Sequence, residues 1–418
     1  MYSSVIATRL RAKIAAFSGE LSAGLGKVSR RFVSEMLYGI QASQSVVLTR
    51  IARVLEETIA LKKTHERLCR NLGDERLEQI LAHNVLSISK KHIEKDTLLV
   101  LDPSDLSKKY AEKMEYLCRI HDGSEGTLAD GYPLVHVIGC EVDSKDIVPL
   151  YQRLYSYTAP EFSSENDEIL HAVDTVQKHV GPQRGIWVID RGADRIKLYE
   201  PLLKRKARFL IRMVGSRHLR TGKRKRLALD IAMDCPTPYA ETIVKMEHGT
   251  ETCYTISFGF RKVKLPEHKQ QLYLLVVKGF GKKPMMLLTT EQLKRSRKTL
   301  FTMVRRYIRR WSVEETIRFI KTSYDLEDVR VLRYKGLQNL MPLVLAAVYF
   351  AAVVLDGKEK LRILVEHVFN ASKRLFGIPD FKYYSISDGL KKLFERHPGQ
   401  PHRIRKRAPN LQLRLFDT

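Results

Sequence analysis

Tyr307, Arg310, Glu314 and Lys321 stand at spacings of three, four and seven in the stretch RRYIRRWSVEETIRFIK, residues 305–321. At about 100° of turn per residue, their helical angles are roughly 0°, 300°, 340° and 320°. On a helix the four share one narrow stripe. Val313, Ile317 and Ile320 fall on an adjacent arc that suits a core-facing side. A carboxylate between two cations and a phenol could form one wall of a site that grips phosphate. The same spacing also suits an exposed ladder, with Arg310–Glu314 and Glu314–Arg318 as i,i+4 pairs.

Phosphate chemistry on nucleic acids with two divalent ions needs a small carboxylate cluster on rigid elements. The ions stand roughly 3.5–4 Å apart, one activating the attacking oxygen and one stabilising the leaving oxygen. Magnesium takes oxygen ligands and keeps several waters, so three carboxylates suffice. Two aspartates at the ends of apolar runs are candidates to join Glu314. Asp102 ends LLVL and precedes Pro103, which biases it toward extended geometry. Asp190 ends GIWVI and opens DRGAD. Ligands of open α/β sheets gather beyond such strand ends. Asp105 and Asp194 compete with them, and a strand-end Asp more commonly caps a turn or helix. Glu315 competes with Glu314, but turns away from the stripe by about 100°.

The elements that must position these residues can be read from hydropathy. Residues 1–92 have helical character throughout. The segment SVVLTRIARVLEE fits one helix of a helix-turn-helix or a plain helical hairpin equally well. The pattern changes at DTLLVLDPSDL (96–106), where TLLVLD is a buried-strand run. LVHVIGCEV (134–142) and IVPLYQRLYSY (147–157) extend a sheet. ENDEILHAVDTVQKHV (165–180) is an amphipathic helix, RGIWVID (184–190) a buried strand, and ARFLIRMV (207–214) a further strand. The alternation predicts an α/β domain with a mixed central sheet. From about 215 to 290 the helical period fades, and alternating strands predict a β-rich insertion. PMMLLTT (284–290) is the last strand before the signature helix. The apolar run LMPLVLAAVYFAAVVL (340–355) is shorter than a membrane span and contains Pro342, so a buried helix is expected and no membrane partner.

The chain has 418 residues with 73 Lys and Arg against 47 Asp and Glu, a net charge of +26. Such a field points to a polyanion. Basic runs recur at 202–212, 217–226, 293–298, 304–310 and 403–407. This spread over several regions argues against a single membrane-facing patch. Five dispersed cysteines form no C-x-x-C and read as reduced thiols rather than a disulfide frame or zinc site. The first twenty residues are basic and nearly free of acid, but run into helical sequence without a break and are read as part of the protein.

The sequence resembles a DDE transposase of the bacterial insertion-sequence type with the Tyr-Arg-Glu-Lys signature. That signature, Y-x2-R-x3-E-x6-K, is met by Tyr307, Arg310, Glu314 and Lys321 without a gap. VIDRGAD resembles the family's second acidic block. LVLDPSDLSK resembles its first, which reads Asp, any residue, then Thr or Ser. The order of regions also matches, and the resemblance covers nearly the whole chain.

The resemblance implies a ribonuclease H-like mixed-sheet core, interrupted by a β-rich insertion, with helical N- and C-terminal domains. The expected layout is a DNA-end-binding helical domain (1–92), core (93–214), insertion (215–285), core with signature helix (286–336), and a helical C-terminal region with a basic tail (337–418). It implies that Asp102, Asp190 and Glu314 hold two Mg²⁺ ions, with Mn²⁺ as a substitute. Tyr307, Arg310 and Lys321, with Arg191, would hold DNA. The implied activity is binding of an element's terminal inverted repeats, strand cleavage and strand transfer in cut-and-paste transposition. Two protomers would pair two ends of double-stranded DNA in the bacterial cytoplasm, at the nucleoid. The alternatives are a ribonuclease H-like nuclease, an inactive DNA-binding copy, or a helix-turn-helix regulator. Some relatives stack a flipped base on a tryptophan in the insertion. Here the only tryptophans are Trp187 and Trp311, so Tyr254, Phe258, Phe260 and Tyr273 are the aromatic candidates in that region.

Overall fold

A computed structural model describes residues 2–123, 125–247, 250–371 and 382–401. The basic run at 403–407 lies outside them. Five helices open the chain: α1 (Tyr2–Leu21), α2 (Lys27–Ser43), α3 (Leu48–Val54), α4 (Leu61–Leu72) and α5 (Leu77–Ser89). Then come β1 (Leu98–Ser107), β2 (Cys118–Asp122), β3 (Thr127–Cys140), β4 (Ile147–Leu154), α6 (Glu165–Val180), β5 (Ile186–Ile189), α7 (Ile196–Lys204) and β6 (Phe209–Arg212). A basic hairpin, β7 (His218–Thr221) and β8 (Arg224–Leu227), precedes α8 (Ala228–Met233). Three longer strands follow, β9 (Tyr239–Glu247), β10 (Thr250–Val263) and β11 (Leu272–Lys278), then β12 (Met285–Thr289). The chain closes with α9 (Arg297–Ser323), α10 (Tyr334–Tyr349), α11 (Gly357–Ala371) and α12 (Tyr383–Arg396).

The main sheet is mixed, in the order β2-β3-β1-β5-β6-β12-β11-β10-β9, with β4 also on β3. β1 is antiparallel to β3 and parallel to β5, and β5 is parallel to β6. β12 joins antiparallel to β6, so β9–β11 prolong the same sheet. The region expected as an insertion is thus continuous with the core through backbone hydrogen bonds. It also holds α8, whose six residues are too few to show a helical period in sequence.

Strand alternation divides the interior in two. Leu98 and Val100 of β1 point into a core shared with the N- and C-terminal helices. Leu99 and Leu101 point into the other, shared with α6, α7 and α8. A sheet covered on both faces explains why its strands read as continuous apolar runs. The terminal regions are knitted together. Asn339 of α10 donates to the Leu72 carbonyl at 2.7 Å, Gln41 donates to the Ala347 carbonyl at 2.7 Å, and Phe17 stacks on Tyr349 at 5.6 Å. The stretch Tyr334–Val354 is long and apolar enough to cross a membrane, and 89% of its most apolar window is buried inside the protein.

Candidate active site

The site forms where β1 loses one neighbour. β5 pairs with β1 only as far as Leu101–Ile189. One step further along each strand stand Asp102 and Asp190, side by side at the open end. β1 continues alone against β3, pairing Asp102 with His136 and Pro103 with Val135. Pro103 has no N–H to give, and here none is needed on the β5 side. Pairing of Ile189 with Ile211 puts Arg212 next in the same row, one residue beyond β6's last pair. The row beyond the last parallel pairs therefore reads Asp102, Asp190, Arg212, and Asp102 is not a strand end as expected, since β1 runs on to Ser107.

Asp190 is in extended backbone, and its Oδ1 accepts from Gly192 N. It caps the short turn Arg191–Ala193, which leaves Arg191 exposed. Its competitor Asp194 is fully occupied elsewhere. It accepts from Val214 N at 2.7 Å and pairs with Arg217, its side chain wholly buried.

Ser296 starts α9 by accepting from Thr299 N. At 1.5 Å per residue, its 27 residues reach about 40 Å, enough to cross β1 and β5. Arg310 is the link. Its Nη1 donates to Asp102 Oδ1 at 3.1 Å and its Nη2 to Glu314 Oε1 at 2.9 Å. Arg310 is 5% exposed and Tyr307 fully buried, so this part of the stripe faces the sheet, while Glu314 is exposed at its edge. An exposed ladder is thereby ruled out for Arg310, and Arg318 pairs with Glu315 at 2.8 Å. Glu315 also accepts from Tyr384 at 3.0 Å, so it serves the C-terminal helices.

Lys321 sits further along the stripe and pairs with Asp105 at 3.3 Å and Glu327 at 3.7 Å. Tyr307 is fully buried, with the Arg310 guanidinium 5.6 Å from its ring centroid. In this state Tyr307 packs the helix and Lys321 holds the end of β1. Neither faces open solvent as a phosphate ligand would.

The charge balance is uneven. Burial pushes the Asp102 carboxyl up to about 7, against the pull of Arg310 and with the push of Glu314 and Asp190. His136, beside it on β3, is wholly buried and held at about 3 by desolvation, then by Lys321. Its Nε2 lies 2.9 Å from Ser104 Oγ, so it is neutral and structural. A cavity of about 360 Å³ opens along Asp102, Asp105, Tyr157, Glu165, Asp190 and Arg195.

Oxygen donors side by side where β1 and β5 part suit a hard cation such as Mg²⁺. Asp102, a buried carboxylate short of positive charge, is the donor a cation would stabilise most. Among the described residues no three such side chains already converge on one point. Arg310 stands between Asp102 and Glu314. Glu314 keeps 54% of its side chain exposed and is free to turn.

Two features escaped the sequence. Arg212 showed only as a cation closing a strand, and its place in the row depends on pairing across the sheet. Phe280 follows β11 and packs on Trp311 of α9 at 5.8 Å, with Tyr254 behind it at 5.6 Å. Trp311 in turn meets Tyr307 at 6.4 Å. Of the four aromatics expected in that region, Phe258 and Tyr273 are core.

Comparison with known proteins identifies the family. A family model described as "Transposase DDE domain" matches residues 140–350, just over half of the chain. The chain belongs to this transposase family. The matched span contains Asp190 and Glu314 and begins after Asp102. A cryo-EM structure of the piggyBac transposase synaptic complex with hairpin DNA is similar at 12% identity and a TM-score of 0.43, over 99% of this chain and 83% of that one. No curated protein matches the chain.

Proposed function

We propose that this chain is the transposase of a bacterial insertion sequence with the Tyr-Arg-Glu-Lys signature, built on a ribonuclease H-like core. The observation that carries this reading is the Arg310 bridge. It ties Glu314, on a helix, to Asp102, 212 residues earlier and on the strand next to Asp190. The sheet supports the core assignment, with an antiparallel meander on one side of β1 and parallel β5 and β6 on the other.

Asp102, Asp190 and Glu314 would hold two Mg²⁺ ions. When bound, these supply charge stabilisation and an activated oxygen nucleophile for in-line attack at a phosphodiester. The chain's own residues do the rest. β1 and the end of β5 fix Asp102 and Asp190 relative to each other. Arg212 and Arg191 offer donors matched to phosphate oxygens, while Arg310's rigid fork is taken up by Asp102 and Glu314 and orients those two carboxylates. Lys321 and Tyr307 follow on the same helix. The buried wall behind Asp102 excludes water from one side.

The substrate is double-stranded DNA carrying the element's terminal inverted repeats. Residues 1–92 bind it, with help from the C-terminal region. α3 buries Leu48, Ile51 and Ala52, while α4 turns Lys62 and Lys63 outward. Two protomers pair two ends, in the bacterial cytoplasm.

The test is cleavage and strand transfer on DNA bearing the element's ends, with Mg²⁺, for wild type and Glu314→Gln. Wild type should cut and join, and the variant should bind the ends without doing either. Equal cutting by the variant would remove Glu314 from the chemistry. Binding without cutting by both proteins would leave a DNA-binding chain only.

A further inference from the structure

The hairpin β7–β8 breaks a rule that sheets otherwise keep. Like charges directly opposite each other on paired strands destabilise the pair. Here Arg220 lies opposite Lys225. On its other side Arg220 bridges to Lys264, with N–H to carbonyl bonds of 2.8 and 3.0 Å in the two directions. Three neighbouring strands thus carry Lys225, Arg220 and Lys264 in one row. The ten residues 217–226 hold six cations and no acid. Two of the six are neutralised, Arg217 by Asp194 and Arg226 by Asp234. Among the described residues, Arg220, Lys223, Arg224 and Lys225 have no carboxylate in ion-pair range. Arg220 has partial compensation, donating to the Pro266 carbonyl at 3.2 Å, but no acid offsets the opposed charges, and a local conflict of this kind marks a functional surface.

The cations are rigidly mounted. Leu219 is fully buried under the hairpin. Arg217 donates to the Asp194 carbonyl at 2.6 Å, and the Ala228 N–H returns to the Arg217 carbonyl at 2.7 Å. Gly222 (φ +60°) and Lys223 make the turn, which leaves Lys223, Arg224 and Lys225 exposed at the tip. Beside the hairpin a groove of about 870 Å³ runs along Arg226, Arg261, Lys262, Lys294 and Arg295, with one acid, Asp234, paired to Arg226.

The direction of the hairpin is also fixed. It leaves β6 at the end of the sheet where Asp102, Asp190 and Arg212 stand. Asp194, which clamps its base, is four residues from Asp190. The hairpin's bridge to Lys264 then stands four positions from the acidic row, level with Leu98 and Ile186.

We infer that the β7–β8 hairpin and the groove beside it hold the phosphate backbone of duplex DNA, away from the acidic row and without reading its sequence. Cations on exposed strands match phosphates, which fix register and carry no base information. The inference rests on the transposase reading for its DNA partner, but its test does not use catalysis.

The experiment measures binding to a random duplex without metal, over a range of salt, for wild type and Lys223→Gln/Arg224→Gln/Lys225→Gln. Each lost phosphate contact lowers the slope of log affinity against log salt by about 0.9, so the triple variant should lose about 2.7. Lys223→Gln alone, at the turn, should lose about 0.9. The melting temperature of the triple variant should equal or exceed that of wild type, since the Arg220–Lys225 opposition is relieved. The same slope loss on duplexes carrying element ends supports indifference to sequence. A slope within about 0.5 of wild type in the folded triple variant overturns the inference. So does a loss confined to element ends, which indicates base readout, or a loss seen with single-stranded RNA and not with duplex DNA. A normal slope loss in a protein that never cuts its ends would sink the transposase reading and keep the hairpin.

Discussion

Asp102→Asn tests whether the point where β1 parts from β5 holds a carboxylate waiting for a cation. Asp102 titrates at about 7 in the folded chain, with burial as the main cause. In an unfolded chain an aspartate titrates at about 3.9. The native state therefore holds the extra proton between those values, and stability from this group is lost as pH rises through that window. Each pH unit separating the folded from the unfolded titration point is worth about 1.36 kcal/mol, so the full cost above pH 7 is on the order of 4 kcal/mol. Roughly 2–3 kcal/mol of it falls between about pH 5 and pH 8. The side chain is only 18% exposed, so solvent screening removes a modest part. Asparagine keeps the shape and can still accept from Arg310, while Glu314 keeps Arg310 paired. Urea melts in chelator at both pH values should show the wild type losing about 2–3 kcal/mol more than the variant on going to high pH. Millimolar Mg²⁺ should restore wild type at high pH and leave the variant unchanged. Parallel pH curves for the two proteins would refute the argument, because Asp102 would then be ionised and satisfied without a metal.

Four further outcomes are expected. Arg310→Lys replaces a two-pronged fork with a point charge, so it should keep the fold and cut strand transfer by about 10-fold or more, read by gel assay against unchanged end binding. Asp194→Asn strands Arg217 under the hairpin and should cost about 3–5 kcal/mol in urea unfolding, far more than the exposed pair Arg119–Asp130, whose removal should cost under about 1 kcal/mol. Gly185→Ala should cost over about 1 kcal/mol, since Gly185 has φ +76° and its new Cβ would lie 2.6 Å from Leu99 at the start of β5. Reductant should leave the melting temperature unchanged, because all five cysteines are free thiols.

The strands that carry the acids were legible because they are buried on both faces. TLLVLD and GIWVID are continuous apolar runs that stop at a carboxylate, and the stop is where β1 and β5 part. The signature stripe was legible because helical spacing is local. What it faces was not. Sequence allowed an exposed ladder, and only Arg310's burial against Asp102 decides for the sheet. The extent of the sheet was hidden for the same reason. Strands β9–β11 alternate like a separate module, but the bond between β12 and β6 that joins them to the core spans some 75 residues of chain.

Arg212 and Arg217 show most clearly what pattern reading lacks. Both belong to basic runs, where a charge count treats every cation alike. The fold separates them. Arg212 ends a row that begins with two aspartates. Arg217 is spent on Asp194 and holds the base of a hairpin. Lys223, Arg224 and Lys225, a few residues on, are left for a partner. One stretch of about fifteen residues thus divides its positive charge among site, scaffold and surface. That division follows from strand register and burial, and it explains how a net charge of +26 can be tolerated. Arg217 is matched by Asp194 inside, and among the described residues the three hairpin-tip cations have no acid opposite them.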